Sequence, residues 1–200
     1  MSGWYVDVQR KVNSVHKDGS VETLTEEAID EARGYAKWIL STSLPRESVL
    51  DAGCRVGYAM RIFRDHLPNA RIAGVDIVPE FVAKAKRRGE AFVGDLQALP
   101  FADGEFHWTF CSAAIEHCPS PRKAMSELCR VTKYGVLILT DLEDKPGNLS
   151  HFWHHDDPAD WVETLRQPDW RLIKLLVPNP HFVRMIWVRT EYAKKIWEPR

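Results

Sequence analysis

Three aspartates in the first half of the sequence each close a short apolar run: Asp51, Asp76 and Asp95. Gly53 and Gly57 follow the first of them, and a helical pattern begins directly afterwards. Glycines between a strand and a helix let a ligand approach the backbone and the helix N-terminus closely. A carboxylate can accept hydrogen bonds from two neighbouring hydroxyls or from an amino group, and each charged hydrogen bond contributes about 1.5–3 kcal/mol. These residues predict a site for a nucleotide-like ligand.

The glycine spacing argues against a dinucleotide. A dinucleotide-binding fingerprint would place glycines at positions 53, 55 and 58, but Arg55 and Tyr58 occupy two of these positions. A nicotinamide or flavin cofactor is therefore disfavoured. A single aspartate at the end of a strand would be interpreted as a turn or a helix cap, and only the ordered series of three favours a ligand site.

His117 is the first candidate for acid–base chemistry. It follows the apolar run Phe106–Cys111, and the carboxyl ends of parallel strands are where α/β proteins bind their ligands. A histidine in that place can accept a proton from a reacting group. The simpler alternative is a histidine that hydrogen-bonds the backbone or lines the ligand pocket.

Segment 151–157, HFWHHDD, is rich in side chains that could contact a ligand. It is open to three interpretations: a substrate-facing loop with His154 as a second candidate base, ordinary loop packing, or a metal site. The adjacent His154 and His155 do not easily aim at one ion, so we predict no metal. Asp157, which precedes Pro158, is better explained as a helix N-cap.

Short apolar runs typical of buried parallel strands alternate with helical patterns along the chain. These runs are Val49–Ala52, Arg71–Ile77, Ala91–Gly94, Phe106–Cys111 and Val136–Thr140. A further helix is predicted over residues 24–44, with Thr23 and Glu26 spaced as a capping box. Crossover helices between the strands imply a parallel sheet with both faces covered.

The C-terminal part of the sequence follows a different pattern. Trp170–Val177 and Val183–Thr190 are two longer apolar runs separated by only five residues. This link is too short for a helical crossover, so the two runs should pair antiparallel. The sequence therefore predicts an α/β fold with a seven-stranded mixed sheet, in which five parallel strands precede a C-terminal antiparallel hairpin. Pro79 and Ser120 mark the starts of two of the helices.

Residues 49–57, VLDAGCRVG, resemble motif I of the class I S-adenosylmethionine-dependent methyltransferases. That motif reads acidic-x-Gly-x-Gly-x-Gly. Asp51, Gly53 and Gly57 match it, and Arg55 replaces its middle glycine.

The resemblance extends over residues 46–142 and is closest to the small UbiE/ubiquinone-biosynthesis-like branch of the family. Leu99–Phe106 (LPFADGEF) resembles the LPF-x-D-x-x-F run of that branch, and Ala114–His117 (AIEH) resembles its LEH segment. In the family, the acid at the position of Asp76 contacts the ribose hydroxyls of the cofactor. The acid at the position of Asp95 contacts its adenine amino group.

The resemblance implies a Rossmann-like fold, methyltransferase activity, S-adenosylmethionine as the cofactor and a small-molecule methyl acceptor. It also implies a set of cofactor-binding residues along the strand ends. These are Asp51, Gly53, Cys54, Arg55, Gly57, Asp76, Ile77, Asp95, Leu96 and Ser112. His117 and His154 are the candidate catalytic residues, and the acceptor would enter from the edge formed by the N-terminal arm, the region after Cys111 and the 143–157 loop.

The sequence departs from the family pattern at three places. Arg55 stands where the backbone and the cofactor come close in family members. Three alternatives follow for its side chain: it points away from the cofactor, it contacts the substrate, or it obstructs the pocket. His107 stands where family members often carry aspartate, and residues 130–135 replace the usual R-V-L-K-P-G-G turn. Arg55 favours a second hypothesis, a non-catalytic binding or partner subunit that keeps the fold. A third, aminopropyl transfer, lacks a clear cluster of acids for a polyamine.

Composition limits the partners. A net charge of -1 and a pI near 6.7 give no general attraction to nucleic acid or membrane, and the basic run Lys84–Arg88 is interpreted as a solvated helix face. The four cysteines form no C-x-x-C pair and are interpreted as buried thiols. Without a signal peptide or an apolar span, we expect a cytoplasmic monomer or homodimer.

One domain is expected over 1–200: an arm and helix (1–44), a cofactor core (46–142) and a substrate edge with the hairpin (143–200).

Overall fold

The computed structural model describes Asp7 and residues 26–142, 152–153, 155–179 and 181–197. These residues form one sheet of seven strands. The strands are β1 (Ser48–Ala52), β2 (Arg71–Asp76), β3 (Glu90–Val93), β4 (Phe106–Ser112), β5 (Thr132–Asp141), β6 (Trp170–Asn179) and β7 (Phe182–Arg189). Their order across the sheet is β3-β2-β1-β4-β5-β7-β6.

The strand pairing confirms the predicted architecture. β1 pairs in parallel with β2 and β4, while β3 and β5 extend the parallel part on either side. The hairpin of β6 and β7 joins β5 antiparallel. The sheet is therefore mixed, with five parallel strands and a C-terminal antiparallel hairpin.

Among the described residues from Glu26 onward, five α-helices pack around the sheet. They are α1 (Glu26–Ser41), α2 (Tyr58–His66), α3 (Pro79–Ala85), α4 (Pro121–Val131) and α5 (Pro158–Leu165). Short 3-10 turns occur at Ile115–His117, Thr190–Tyr192 and Lys195–Trp197. The predicted helix over 24–44 corresponds to α1, and Thr23 of the predicted capping box lies outside the described residues.

The predicted helix starts are confirmed. Ser120 caps α4, where its hydroxyl accepts the Lys123 N–H at 3.3 Å, and Asp157 caps α5 by accepting the Ala159 N–H at 2.8 Å. Pro79 stands in the first turn of α3, where a missing N–H costs nothing because that N–H would lack a helical partner. These caps decide where the helices leave the ends of the strands.

The sheet separates two apolar cores, and β5 shows why. Val136 and Ile138 pack on one face with residues of α4 and α5, whereas Leu137 packs on the other face with residues of α1 and α2. A strand buried on both faces needs apolar residues without alternation, which is why β5 reads as a continuous apolar run. The carboxyl ends of the parallel strands share one edge, and the predicted site residues lie along it.

Two expectations from composition can be compared with the structure. All four cysteines are buried and free, as the interpretation of buried thiols requires. Among the described residues, no helix has the length and apolar character needed to span a bilayer.

Candidate functional site

The turn after β1 brings the first two aspartates together at the carboxyl edge of the sheet. The backbone N–H groups of Gly53 and Cys54 both donate to the Val75 carbonyl, at 2.8 and 3.0 Å, so the turn is held against the end of β2. Gly53 has φ +82°, and a Cβ there would lie only 2.4 Å from the Cβ of Ala114. Gly57, with φ +84°, precedes the first residue of α2. Glycine is favoured at both positions because residues with a side chain adopt this conformation only at a cost.

Asp76 holds two turns at once. One carboxylate oxygen accepts the backbone N–H of Arg55 at 2.9 Å, and the other accepts the backbone N–H of Val78 at 2.9 Å. Its side chain is buried, and burial raises its pKa against the opposing effects of these N–H groups and of the Arg55 charge. The second predicted acid therefore lies directly beside the glycine turn.

Arg55 adopts a backbone conformation that glycine usually supplies. Its φ is +45°, which costs a non-glycine residue about 1–2 kcal/mol and directs its N–H at Asp76. Its guanidinium lies 5.9 Å from the centre of the Phe81 ring in α3. Burial lowers the pKa of the guanidinium, while the charge of Asp76 opposes that shift. The Arg55 side chain therefore turns toward α3, on the Asp76 side of the turn.

Asp51 is a buried acid with an unused acceptor. Burial, reinforced by the charge of Asp76, raises its pKa to about 7, although the Met60 N–H donates to it. Its Oδ2 is buried and has no hydrogen-bond partner among the described residues. An acceptor of this kind suits a ligand that brings a donor or a positive charge.

Asp95 lies at the same edge, after β3. Its Oδ1 accepts the backbone N–H of Gln97 at 2.9 Å, and the Gln97 side chain donates to the same oxygen at 3.3 Å. The Gln97 amide oxygen in turn accepts the N–H of Ser120, the N-cap of α4. The position of Asp95 is thereby coupled to the start of α4.

Arg130 fixes the loop that follows Asp95. Its guanidinium donates to Glu127 at 2.7 and 2.8 Å and to Asp103 at 2.8 Å. It also donates to the backbone carbonyls of Phe101 and Leu99. Residues 130–135 therefore differ from the family turn but retain its arginine, Arg130, whose hydrogen bonds hold this loop in place.

The remaining predicted cofactor residues surround this edge. Ile77 packs in a small apolar cluster with Val56, Val78 and Phe81. Leu96 and Cys54 are buried, and Ser112 is half-buried at the end of β4. The structure thus brings together Asp51, Asp76 and the glycine turn, with Asp95 further along the edge. Their role as cofactor ligands stays a prediction.

Two other basic residues differ from what their sequence context indicates. His107 lies at the start of β4, at the opposite edge of the sheet, where its Nδ1 accepts the Glu47 N–H at 3.1 Å. This departure from the family therefore does not affect the site.

The interpretation of Lys84–Arg88 as a solvated face is wrong for Arg88. This half-buried side chain donates to the Val56 carbonyl at 2.9 Å and lies 4.4 Å from the Tyr58 ring centre.

His117 lies in the 3-10 turn after β4 and is half-buried. Its backbone N–H donates to the Ala114 carbonyl at 3.2 Å. The turn places it at the same edge of the sheet as the glycine turn, whose Gly53 faces Ala114. The structure therefore keeps His117 next to the predicted site, while its catalytic role stays a prediction.

Glu116, which precedes His117, is a buried acid that the sequence analysis missed. It is 1% exposed, and its Oε2 accepts the Thr140 hydroxyl at 3.0 Å. Burial, with the added charge of Asp141, raises its pKa to about 8. Its backbone carbonyl also accepts the N–H groups of Phe152 and Trp153. Glu116 therefore joins the end of β4, the end of β5 and the segment beyond them.

Replacing Glu116 with glutamine is expected to flatten the dependence of stability on pH. Folding raises the pKa of Glu116 from 4.5 to about 8, so the native state holds its proton more tightly. The stabilisation is complete below pH 4.5 and is lost as the pH rises to about 8. From pH 6 to pH 7 the wild type loses about 1.4 kcal/mol through this group, and Glu116→Gln does not. Urea unfolding of both proteins at the two pH values measures the difference, and an equal loss in both would contradict the burial of a protonated Glu116.

The histidine-rich segment is described only in part. His154, the second candidate base, lies outside the described residues. His155 is half-buried, with its Nε2 2.9 Å from the Thr164 hydroxyl and its ring edge-on to Trp161. The Trp153 indole donates to the Pro119 carbonyl at 2.9 Å. These contacts are those of loop packing against α5, and the described residues contain no cluster of potential metal ligands.

Comparison with known families finds one match, which covers the part of the chain that holds the candidate site. Residues 50–140, which run from β1 to β5, match the family described as "Methyltransferase domain". This part of the chain is therefore similar to a methyltransferase domain. The matched range contains the glycine turn and all three aspartates, Asp51, Asp76 and Asp95.

The chain is also similar to a curated relative over part of its length. It is 33% identical over 103 residues to a malonyl-acyl-carrier-protein O-methyltransferase of Serratia marcescens. The aligned region covers 50% of this chain and 40% of the relative. The chain thus spans less than half of that relative, and the match does not extend over a whole enzyme.

Solved structures share the fold of this chain. A 1,6-didemethyltoxoflavin-N1-methyltransferase of Burkholderia thailandensis, solved with bound 1,6-didemethyltoxoflavin and S-adenosylhomocysteine, has a TM-score of 0.70 at 17% identity. The match covers 92% of this chain and 88% of that one. The (4+2)-cyclase SpnF has a TM-score of 0.68 at 14% identity, with 93% of both chains covered. At these identities the likeness shows the fold alone.

Proposed function

We propose that this chain binds S-adenosylmethionine and transfers its methyl group to a small-molecule acceptor. The observation that carries the proposal is the pair of buried carboxylates, Asp51 and Asp76, on neighbouring strands around a glycine turn with left-handed backbone angles. When bound, the cofactor supplies an electrophilic methyl group on a positively charged sulfur. Two acids in a buried site suit a ligand with that charge and with hydroxyl and amino donors.

The proposed contacts follow from the acceptors that these acids retain. A carboxylate offers about four lone-pair positions, so Asp76 can accept the ribose hydroxyls while it still accepts the N–H groups of Arg55 and Val78. Asp51 has a buried oxygen without a partner among the described residues, which an ammonium group would satisfy. Asp95 has a second oxygen for the adenine amino group. Ile77 and Leu96 supply apolar surface beside these acids.

Further contacts belong to the same proposal. Gly53 and Gly57 let the cofactor approach the turn. Cys54 and Arg55 contact the cofactor through backbone atoms of the turn, and Ser112 extends the site to the end of β4. We propose that residues 46–142 form the cofactor core and that residues 143–200 complete the edge where the acceptor enters.

A general base is needed only for an acceptor that must lose a proton. His117 is the described residue proposed for that role, because it lies half-buried on the turn that follows β4. A carboxylate acceptor would need no base, because it is already ionised at neutral pH. The name of the similar relative makes malonyl thioesters the first acceptors to test.

The experiment that tests the proposal has two steps. Calorimetric titration with S-adenosylmethionine and S-adenosylhomocysteine is expected to give micromolar binding. Transfer of a labelled methyl group is then measured with malonyl thioesters and with pools of small aromatic and polar metabolites. Binding without transfer to any acceptor would favour the alternative, a non-catalytic subunit, and the half-buried Arg55 beside Asp76 is the observation behind it. Absence of binding would refute the proposal.

Replacing Arg55 with glycine is expected to stabilise the protein slightly and to preserve cofactor binding. Glycine removes a backbone cost of about 1–2 kcal/mol at φ +45° but adds about 0.5–1 kcal/mol of unfolded-state entropy. A net gain of about 0–1.5 kcal/mol in the free energy of unfolding follows, which urea unfolding measures. Arg55→Ala is the matched control, because it removes the guanidinium and keeps the strained backbone. If both variants bind S-adenosylhomocysteine far more tightly than the wild type, the guanidinium obstructs the site.

A further inference from the structure

The 3-10 turn Ile115–His117 is tied to two other parts of the chain through Glu116. The Oε2 atom of Glu116 accepts the Thr140 hydroxyl near the end of β5 at 3.0 Å. Its backbone carbonyl accepts the N–H groups of Phe152 and Trp153 at 3.0 and 3.3 Å. The turn after β4, the end of β5 and the segment 152–153 therefore meet at a single residue.

The segment 152–153 has a second attachment to the same part of the chain. The Trp153 indole donates to the Pro119 carbonyl at 2.9 Å, so the segment is bonded on both sides of His117. These parts of the chain lie at the carboxyl ends of β4 and β5, where the acceptor is proposed to enter. We call residues 112–117, 140–142 and 152–153 the acceptor edge. A residue that joins its three parts fixes the position of His117.

The surroundings of Glu116 suit a neutral carboxyl group. Its Oε1 is buried and has no hydrogen-bond partner among the described residues, whereas a buried carboxylate needs further donors or a positive charge. Of the described residues, the titratable groups that interact electrostatically with it are the Asp141 carboxyl at the end of β5 and the Cys111 thiol in β4, and neither is positively charged. Burial and the charge of Asp141 raise the pKa of Glu116 to about 8. Glu116 is therefore protonated at neutral pH.

We propose that Glu116 is a positioning residue for methyl transfer, whose protonated side chain holds the acceptor edge together and whose ionisation favours its opening. This inference rests on the proposed function, because it concerns the edge where the acceptor enters. An ionised Glu116 would be a second negative charge beside Asp141, so the turn would move to hydrate it. That movement breaks the hydrogen bonds of segment 152–153 and displaces His117. The hydrogen bonds of Asp76, to Arg55 and Val78, do not involve this turn.

Hydrogen exchange of the Phe152 and Trp153 N–H groups tests the proposal without any acceptor. Glu116 ionises at 4.5 when the edge is open and at about 8 when it is closed. After correction for the intrinsic exchange rate, protection is expected to fall about tenfold per pH unit between pH 5.5 and pH 7.5 and to level off above pH 8, because opening releases one proton. In Glu116→Gln the fall should be absent. Glu163→Gln is the matched control, since this acid on α5 is 66% exposed, and it should behave like the wild type.

Two further variants should move the levelling-off point in opposite directions. The Thr140 hydroxyl lowers the pKa of Glu116, and the charge of Asp141 raises it. In Thr140→Val the protection should therefore level off at a higher pH than in the wild type, and in Asp141→Asn at a lower pH. Constant protection in the wild type, or an equal fall in Glu116→Gln, would overturn the proposal.

Transfer to malonyl coenzyme A provides the kinetic readout. The wild-type kcat should decline above pH 8 as Glu116 loses its proton, with KM for S-adenosylmethionine unchanged, and Glu116→Gln should not share the decline. An equal decline in both proteins would contradict a positioning role. Absence of S-adenosylhomocysteine binding would refute the proposed function. The exchange measurement would still decide whether Glu116 holds the edge, and Asp76→Ala is expected to keep the wild-type exchange profile.

Discussion

Replacing Asp76 with alanine is expected to weaken S-adenosylhomocysteine binding by about 10- to 150-fold, which corresponds to the loss of a charged hydrogen bond worth about 1.5–3 kcal/mol. Asp76 is the proposed acceptor of the ribose hydroxyls. It also fixes the backbone of Arg55 and Val78, each through a 2.9 Å hydrogen bond. The variant therefore loses a ligand contact and the two bonds that shape the surrounding turns. Calorimetric titration measures the loss, since S-adenosylhomocysteine binds without turnover.

Two control variants separate these effects. Asp76→Asn keeps the size of the side chain and one acceptor oxygen, so an intermediate loss of affinity is expected. Asp103→Asn changes an acid that is 83% exposed and pairs with Arg130, and it should leave affinity unchanged. Circular dichroism and urea unfolding show whether each variant is folded. Wild-type affinity in both Asp76 variants would mean that the ribose site lies elsewhere.

The sheet was predictable because its strands are buried on both faces. β5 has to be apolar on consecutive residues, Val136 to Ile138, since one face meets α4 and α5 and the other meets α1 and α2. Such runs, separated by helical patterns, leave few alternatives to a parallel sheet. The helix starts at Ser120 and Asp157 were predictable for a local reason, because a cap bonds an N–H two or three residues away.

The environment of the site was less predictable, because it depends on contacts between distant parts of the chain. The sequence shows that Arg55 replaces a glycine, but not that its N–H bonds to Asp76 while its side chain turns toward Phe81. Glu116 stood inside a recognised motif, yet only the fold shows that it is buried against Thr140. In both cases the residue type was visible, whereas its charge state depends on burial that no local pattern reports.

Replacing Gly53 with alanine is expected to reduce the free energy of unfolding by about 2–5 kcal/mol. The left-handed backbone at φ +82° costs an alanine about 1–2 kcal/mol. In addition, its Cβ would lie 2.4 Å from the Cβ of Ala114, and overpacking of this kind costs about 1–3 kcal/mol. Because Gly53 starts the turn that ends β1, the displacement should also weaken cofactor binding. Urea unfolding and titration with S-adenosylhomocysteine measure the two effects.

Two other glycines separate strain from steric overlap in the same measurement. Gly104 has φ +63°, and a Cβ there would meet nothing within 4 Å, so Gly104→Ala should show the backbone cost alone, about 1–2 kcal/mol. Gly34 lies inside α1 with equally open surroundings, so Gly34→Ala should stabilise the protein by about 0.5–1 kcal/mol. We therefore expect Gly53→Ala to destabilise the protein most, Gly104→Ala to destabilise it less, and Gly34→Ala to stabilise it. If Gly53→Ala costs no more than Gly104→Ala, the turn yields to the added methyl group, and the close contact with Ala114 does not define the site.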